Sequence, residues 1–328
     1  MMKIPGLIDL QVNGHKGVDF SGDGLTAESF ADACRELLSS GVTAFLPTMI
    51  TCAESMYERN LKILGEVMEA AEFKGRLLGF HVEGPFISPK DGARGAHSKA
   101  HVCAPDLDYL KRIVEWGGGK VRMITVAAEL PGAEGLARFA VDNGIAVSLG
   151  HQMAKADDLD RLVKAGATAL THLGNGMPLT LGRHDNILWA GLAEDRLTAM
   201  MIADGHHLPA SVIKVFLRAK GIARCVVVGD ASPLAGMAPG EYRFSGGRAV
   251  LEESGRVYNP DTGYMAGSSA TIIDCANHLA SLGLLSADQI VDLCYYNPLK
   301  LIGLKPEDIG DGPAIEYKED EKAFVLKT

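Results

Sequence analysis

Residues 121–172 read VRMITVAAELPGAEGLARFAVDNGIAVSLGHQMAKADDLDRLVKAGATALTH. Short apolar runs, Val121–Ala127, Ala146–Leu149 and Ala167–Thr171, alternate here with the amphipathic stretches Ala133–Asp142 and Asp157–Lys164. Gly144 and Gly166 stand just before the second and third runs, where a left-handed helix C-cap is expected. Runs that are apolar on both faces suit strands of a buried parallel sheet. The segment therefore reads as β-α-β-α-β.

The same rhythm extends in both directions. Leu7–Val12, Val42–Pro47 and Leu77–Val82 precede the segment, and Ala199–Ala203 and Cys225–Gly229 follow it, which makes eight runs. The stretches Ala27–Leu38, Met56–Ala71 and Ser211–Ala219 fit helices between them, with Gly41, Gly75 and Gly221 as further stops. Eightfold alternation points to a (β/α)8 TIM barrel rather than a doubly wound open sheet. Two regions interrupt it. Residues 84–106 form a loop too long for a simple connection, the kind that usually carries function. Residues 238–264 carry turn signals around short alternating runs and read as a β-hairpin insertion. Helices are expected near Ser268–Ser281 and Ser286–Cys294, and one or two outlying strands within Ala314–Thr328. At 328 residues, length alone suggests two domains of roughly 150 each. The pattern predicts instead a single barrel over 1–305, including the insertion, and a C-terminal extension over 306–328.

Composition narrows the class. Hydrophobic residues make up 47% and charged residues 22%, which excludes disordered and fibrous chains. A net charge of −9 argues against nucleic acid or an anionic membrane as partner, since both want a basic face. The six cysteines are scattered with no CxxC pair, so reduced thiols in a cytoplasmic protein are expected. No signal-peptide layout and no apolar stretch of about 18 residues occurs. Glycine, at 38 residues, is about 12% against a usual ~7%, which implies tight turns or backbone brought close to a ligand.

Polar residues sit where the runs end. Gln11 and Asn13 close the first, His81 and Glu83 the third, His151 the fifth and His172 the sixth. Asp204, His206 and His207 close the seventh and Asp230 the eighth. In a barrel these ends share the rim on which active sites are built. Glu83, His151 and His172 then offer two imidazoles and a carboxylate, the donor set of a catalytic zinc site with an open position. Asp230 is placed to move a proton of the attacking water. A single histidine at a strand end is more often a hydrogen-bonded structural residue; four such groups at equivalent ends are not. His15, His101, His184 and His278 lack this placement and read as surface or structural.

Several motifs together resemble those of N-acetylglucosamine-6-phosphate deacetylases, of the amidohydrolase superfamily. They are Pro5-Gly-Leu-Ile-Asp-Leu-Gln-Val-Asn-Gly14, His81-Val-Glu-Gly-Pro85, Gly150-His151, Thr171-His-Leu-Gly-Asn-Gly-Met-Pro178, Ala203-Asp-Gly-His-His207 and Gly229-Asp-Ala231. They occur in the family's order and span residue 5 to about 305. By this resemblance Glu83, His151 and His172 match the metal ligands and Asp230 the catalytic carboxylate. Ala96 and His97 match a substrate contact after the long loop, and Asn175 with Gly176 the pair that holds the sugar phosphate. Arg183 matches an arginine that reaches the phosphate of a neighbouring subunit, which implies a homodimer. His207 matches a further substrate contact, and Met265, Ala266 and Gly267 a substrate-lining loop.

The departures are informative. Where many amidohydrolases have His-x-His, this chain has Gln11-Val-Asn13. Neutral amides are poor ligands beside imidazole and carboxylate, so one divalent ion per subunit is expected, Zn2+ first, with Fe2+ or Co2+ also compatible. Gly174 and Gly176 stand where the family usually has an aromatic residue and an alanine, and His-Asp-Asn follows Arg183 in place of Glu-Pro-Gly. The family's small β-sandwich, built from residues flanking the barrel, is expected to be missing or vestigial. The implied reaction is hydrolysis of N-acetylglucosamine 6-phosphate to glucosamine 6-phosphate and acetate. Rival readings are an N-acetylgalactosamine 6-phosphate or unphosphorylated N-acyl sugar deacetylase, cyclic amide or deaminase hydrolysis on the same barrel, and a non-catalytic sugar-phosphate binding protein.

Overall fold

The computed structural model describes residues 2–244 and 247–327. Eight parallel strands form one sheet in sequence order: β1 (Ile8–Val12), β2 (Ala44–Ile50), β3 (Phe80–Glu83), β4 (Val121–Val126), β5 (Ala146–Leu149), β6 (Ala169–Leu170), β7 (Thr198–Ile202) and β8 (Cys225–Val228). All eight residues of β5 and β8 except Ala146 are buried, as a sheet covered on both faces requires. The sheet is a nearly closed TIM barrel. At the β8–β1 seam a single parallel bridge joins Val12 to Ala231, with the Asn13 amide donating to the Ala231 carbonyl at 2.8 Å. The Asp9 carboxylate completes the seam by accepting the Gly229 amide with both oxygens at 3.1 Å. Gly229 has to be glycine, because a Cβ there would lie 2.5 Å from Asp9 Oδ2.

The outer layer holds α1 (Ala27–Ser39), α2 (Glu54–Met68), α3 (Leu107–Trp116), α4 (Ala133–Asp142), α5 (Ala156–Lys164), α6 (Ile187–Ala193), α7 (Ala210–Lys220) and α8 (Ile272–Leu282). Each apolar stripe packs on the barrel; Phe30, Cys34 and Leu37 of α1 are typical. Side-chain caps start several helices, including Thr26 with Ser29 at α1 and Asn186 at α6. Seven residues of α6 are too few to show a helical repeat in the sequence. The helix expected over Ser286–Cys294 runs Ala287–Val291, then passes through a π segment, Asp292–Tyr296, into Asn297–Leu301. Pro298 lies just beyond that widened turn, where its missing N–H breaks no regular ladder.

Among the described residues two three-stranded sheets and a two-stranded ribbon, Gly14–His15 with Val18–Asp19, accompany the barrel. Gly240–Phe244, Gly247–Leu251 and Val257–Tyr258 pair antiparallel, one strand more than the expected hairpin; Ser245 and Gly246 lie outside the described residues. Met2–Ile4 pairs with Ile315–Lys318, which pairs with Ala323–Leu326, so segments before and after the barrel join. Asn277 of α8 ties this sheet down by exchanging two hydrogen bonds with the Phe324 backbone. All six cysteines are free thiols. Among the described residues no helix is long and apolar enough to cross a membrane.

Candidate active site

His151, His172 and Asp230 each stand two residues beyond the last residue of their strands, β5, β6 and β8. Their φ angles are 50°, 29° and 50°. Left-handed backbone is uncommon outside glycine and persists where the surroundings enforce it, often at functional sites. All three line one cavity of about 220 Å³ on the rim of the barrel, together with Glu83 at the end of β3.

Glu83 is the hub, with its side chain 2% exposed. Its Oε1 lies 3.2 Å from His151 Nε2 and 2.9 Å from His172 Nε2. Burial would raise its pKa, but the two imidazoles hold it well below the usual carboxylate range. Burial lowers and Glu83 raises His172, with a net shift upward. His151 Nδ1 donates to the Ala93 carbonyl at 2.9 Å, a bond delivered by the 84–106 loop as it folds over the rim. Held at Nδ1, the ring turns its Nε2 towards a carboxylate oxygen. His151 Nε2, His172 Nε2 and Glu83 Oε1 converge closely enough to ligate one cation, and an Nδ1–H held by a carbonyl is the usual support of a ligand histidine. The donor set thus fits a divalent ion.

His97 approaches the same carboxylate, with Nε2 3.7 Å from Glu83 Oε2. Glu83, His97 and His151 offer ligand atoms within 4.8 Å of one another, a second group able to hold a metal. The His97 ring is oriented differently. Its Nδ1 accepts the Thr51 amide at 3.3 Å and lies 2.9 Å from the Thr51 hydroxyl. Burial lowers its pKa to about 3, so the ring is neutral and its proton sits on Nε2. His81, by contrast, is satisfied within the barrel. Its Nδ1 donates to the Leu10 carbonyl at 3.1 Å and its Nε2 accepts from the Thr125 hydroxyl at 2.8 Å.

Asp230 Oδ1 accepts from Gln11 Nε2 at 2.9 Å and Asn13 Nδ2 at 2.7 Å. The side-chain amides of Gln11 in β1 and of Asn13 just beyond it therefore turn their donors to Asp230. Burial, followed by the charge of Glu83, raises the Asp230 pKa above its ordinary value, which suits a group that takes up and returns a proton.

Around these groups the cavity gathers Ala96, His97, Asn175, Gly176, His207, Met265, Ala266 and Gly267. The buried Asn175 Nδ2 has no hydrogen-bond partner among the described residues. Arg183 is exposed on the loop before α6 and is not part of the lining. Among the described residues that line the cavity, none is Lys or Arg. Ile50, Met177, Ile202 and Tyr264 complete its apolar side, and sequence reading missed them because they carry no chemistry of their own. Gly176 has φ +57°, and a Cβ there would lie 3.0 Å from His151 Nδ1.

No family model matches the chain. It is 34% identical over 313 residues to N-acetylglucosamine-6-phosphate deacetylase of Bos taurus, covering 92% of this chain and 74% of that protein. It is 30% identical over 304 residues to the protein of the same name from Bacillus subtilis (strain 168), covering 92% and 75%. A solved structure of a mutant N-acetyl-D-glucosamine-6-phosphate deacetylase from Mycobacterium smegmatis, in complex with N-acetyl-D-glucosamine-6-phosphate, superposes with a TM-score of 0.87. That match has 26% identity and covers 98% of this chain and 84% of that one.

Proposed function

The chain belongs to the N-acetylglucosamine-6-phosphate deacetylases, and from that membership we propose how its own residues divide the reaction. It is an amidohydrolase that removes the N-acetyl group of an amino sugar phosphate, taking N-acetylglucosamine 6-phosphate and water to glucosamine 6-phosphate and acetate. Glu83, His151 and His172 hold one divalent ion, with Zn2+ the first candidate for two imidazoles and a carboxylate. The convergence of His151 Nε2 and His172 Nε2 on Glu83 Oε1, with His151 Nδ1 held by the Ala93 carbonyl, is the observation that carries this reading. His97 is excluded from the ligand set because its protonated Nε2 is a donor.

When bound, such an ion supplies Lewis-acid activation of the attacking water and of the acetyl carbonyl. Asp230 accepts the water's proton on Oδ2, since Oδ1 is taken up by Gln11 and Asn13. It returns the proton to the sugar nitrogen as the C–N bond breaks, because an amine anion does not depart. His97, through Nε2–H, and His207 contact the substrate, and Asn175 and the Gly176 backbone hold the sugar phosphate. Ala96 and the Met265–Gly267 loop close over the sugar and fix the amide in place.

Among the described residues no Lys or Arg lines this cavity, and we assign the phosphate contact to Arg183 of a second subunit in a homodimer. Leu179, 86% exposed, and the half-exposed Trp189 flank the Arg183 loop and support burial of this face. We further take 1–305 as one catalytic barrel whose insertion walls the cavity, 306–328 as an extension, and the cytoplasm as the compartment.

Acetate release from N-acetylglucosamine 6-phosphate, N-acetylgalactosamine 6-phosphate and unphosphorylated N-acetylglucosamine tests the substrate. The first is expected to have the highest kcat/KM. Equal kcat/KM with and without the 6-phosphate would overturn the phosphate assignment and favour an unphosphorylated N-acyl sugar.

A further inference from the structure

The turn after β7 contains a buried carboxylate that the reaction as described does not use. Asp204 has its side chain 1% exposed. Its Oδ1 accepts the amides of His206 and His207, both at 2.9 Å. Its Oδ2 accepts from His207 Nδ1 at 2.7 Å and from the Ser268 hydroxyl at 2.9 Å. Burial would raise this carboxyl, but the bond from His207 and the two backbone amides hold it well below the usual range, so it stays an acceptor. The His207 proton is thereby fixed on Nδ1, and Nε2 is the ring atom left to the cavity that His207 lines.

Ser268 extends the network. Its Oγ accepts the Ala270 amide at 3.0 Å, so its own hydrogen goes to Asp204. Its amide donates to the Asp230 carbonyl at 2.9 Å, and its carbonyl accepts from the Ser232 amide at 2.8 Å. Residue 205 must be glycine beneath this turn: it has φ +84°, and a Cβ would lie 3.0 Å from the His278 ring of α8. The His207 imidazole is thus linked through Asp204 and Ser268 to the backbone of Asp230.

We infer that Asp204 and Ser268 are positioning residues that set the tautomer and orientation of His207 and hold it in fixed relation to Asp230. The inference rests on the reading of His207 as a substrate contact. Carboxylates that orient metal-ligating imidazoles are typically worth about 10- to 100-fold in affinity or activity, and the same order is expected for the orientation of His207.

A double-mutant cycle with the metal-loaded enzyme separates the two claims. H207N alone is expected to lower kcat/KM for the acetylated sugar phosphate. D204N is expected to lower it about 10- to 100-fold with metal content unchanged. In the D204N/H207N double variant the two losses are expected not to multiply, because Asp204 acts through His207. The 15N signal of His207 should report a protonated Nδ1 in the wild type and lose it in D204N. H207N with wild-type kcat/KM overturns the reading of His207, and the inference with it. An impaired H207N beside a wild-type D204N, or losses that multiply, overturns the positioning role alone. If D204N does not fold, S268A removes one bond to Asp204. It should give a smaller loss that vanishes in the H207N background, and a loss that persists there overturns the inference.

Discussion

Asn13 Nδ2 donates to Asp230 Oδ1 at 2.7 Å, across the seam where β1 and β8 share only a single bridge. Gln11 Nε2 reaches the same oxygen at 2.9 Å. The side chains of Gln11 and Asn13, at the positions that would mark a second metal site in a His-x-His chain, here orient the proton carrier. Replacing Asn13 by alanine removes one of two charge-assisted bonds, each worth roughly 1.5–3 kcal/mol. N13A should lower kcat by about 10-fold or more with KM and metal content little changed. Steady-state kinetics with metal analysis checks this, and a wild-type kcat removes the orienting role.

The choice between His172 and His97 as the third ligand is open to direct test. H172A should lose most of its bound metal, since a three-residue site keeps two donors. H97A should retain metal while its kcat/KM falls. Elemental analysis of both purified variants decides the matter, and metal lost from H97A but kept by H172A would give the place to His97.

Much of this was legible in the sequence. Alternating apolar runs placed all eight barrel strands, even β6, which has only two ladder residues, because its run closes a helix-Gly-strand unit at Gly166. Glu83, His151, His172 and Asp230 were visible through their position at strand ends, and the structure brings all four to one cavity. What stayed hidden depends on partners distant in the chain. Asp9 and Gly229 meet 220 residues apart. The same holds for Asp204 and Ser268, and a tautomer such as that of His97 is set by a backbone amide that no motif encodes. Gly174 stands where the family usually has an aromatic residue. Its φ is +96°, and a Cβ would lie 2.9 Å from Leu208 and 3.2 Å from Phe216, so that space is already filled.

The seam carboxylate carries a pH dependence. Burial raises Asp9 to about 7, against the lowering effect of the Gly229 and Gln11 amides. The unfolded value is about 3.9, so protonation favours the native state. Its stabilising contribution is full below about pH 4 and is lost as pH rises through about 7. D9N, which stays neutral, should therefore gain stability relative to the wild type between pH 5 and 8, by an amount of a few kcal/mol at most. Urea unfolding of both proteins across that range measures the difference, and a constant gap contradicts the buried, titrating Asp9.

The decisive measurement is acetate release from N-acetylglucosamine 6-phosphate by wild-type and D230N protein, each with its metal content determined. Expected for the wild type are acetate and free amine in equal amounts, loss of turnover on chelation and its return when a divalent ion is restored. Expected for D230N is the same metal content with kcat lower by about 10²- to 10⁴-fold, the usual contribution of a general base. A D230N protein that keeps its metal and turns over at the wild-type rate, or a wild type equally active after its metal is stripped, would contradict metal-assisted hydrolysis with Asp230 as proton carrier.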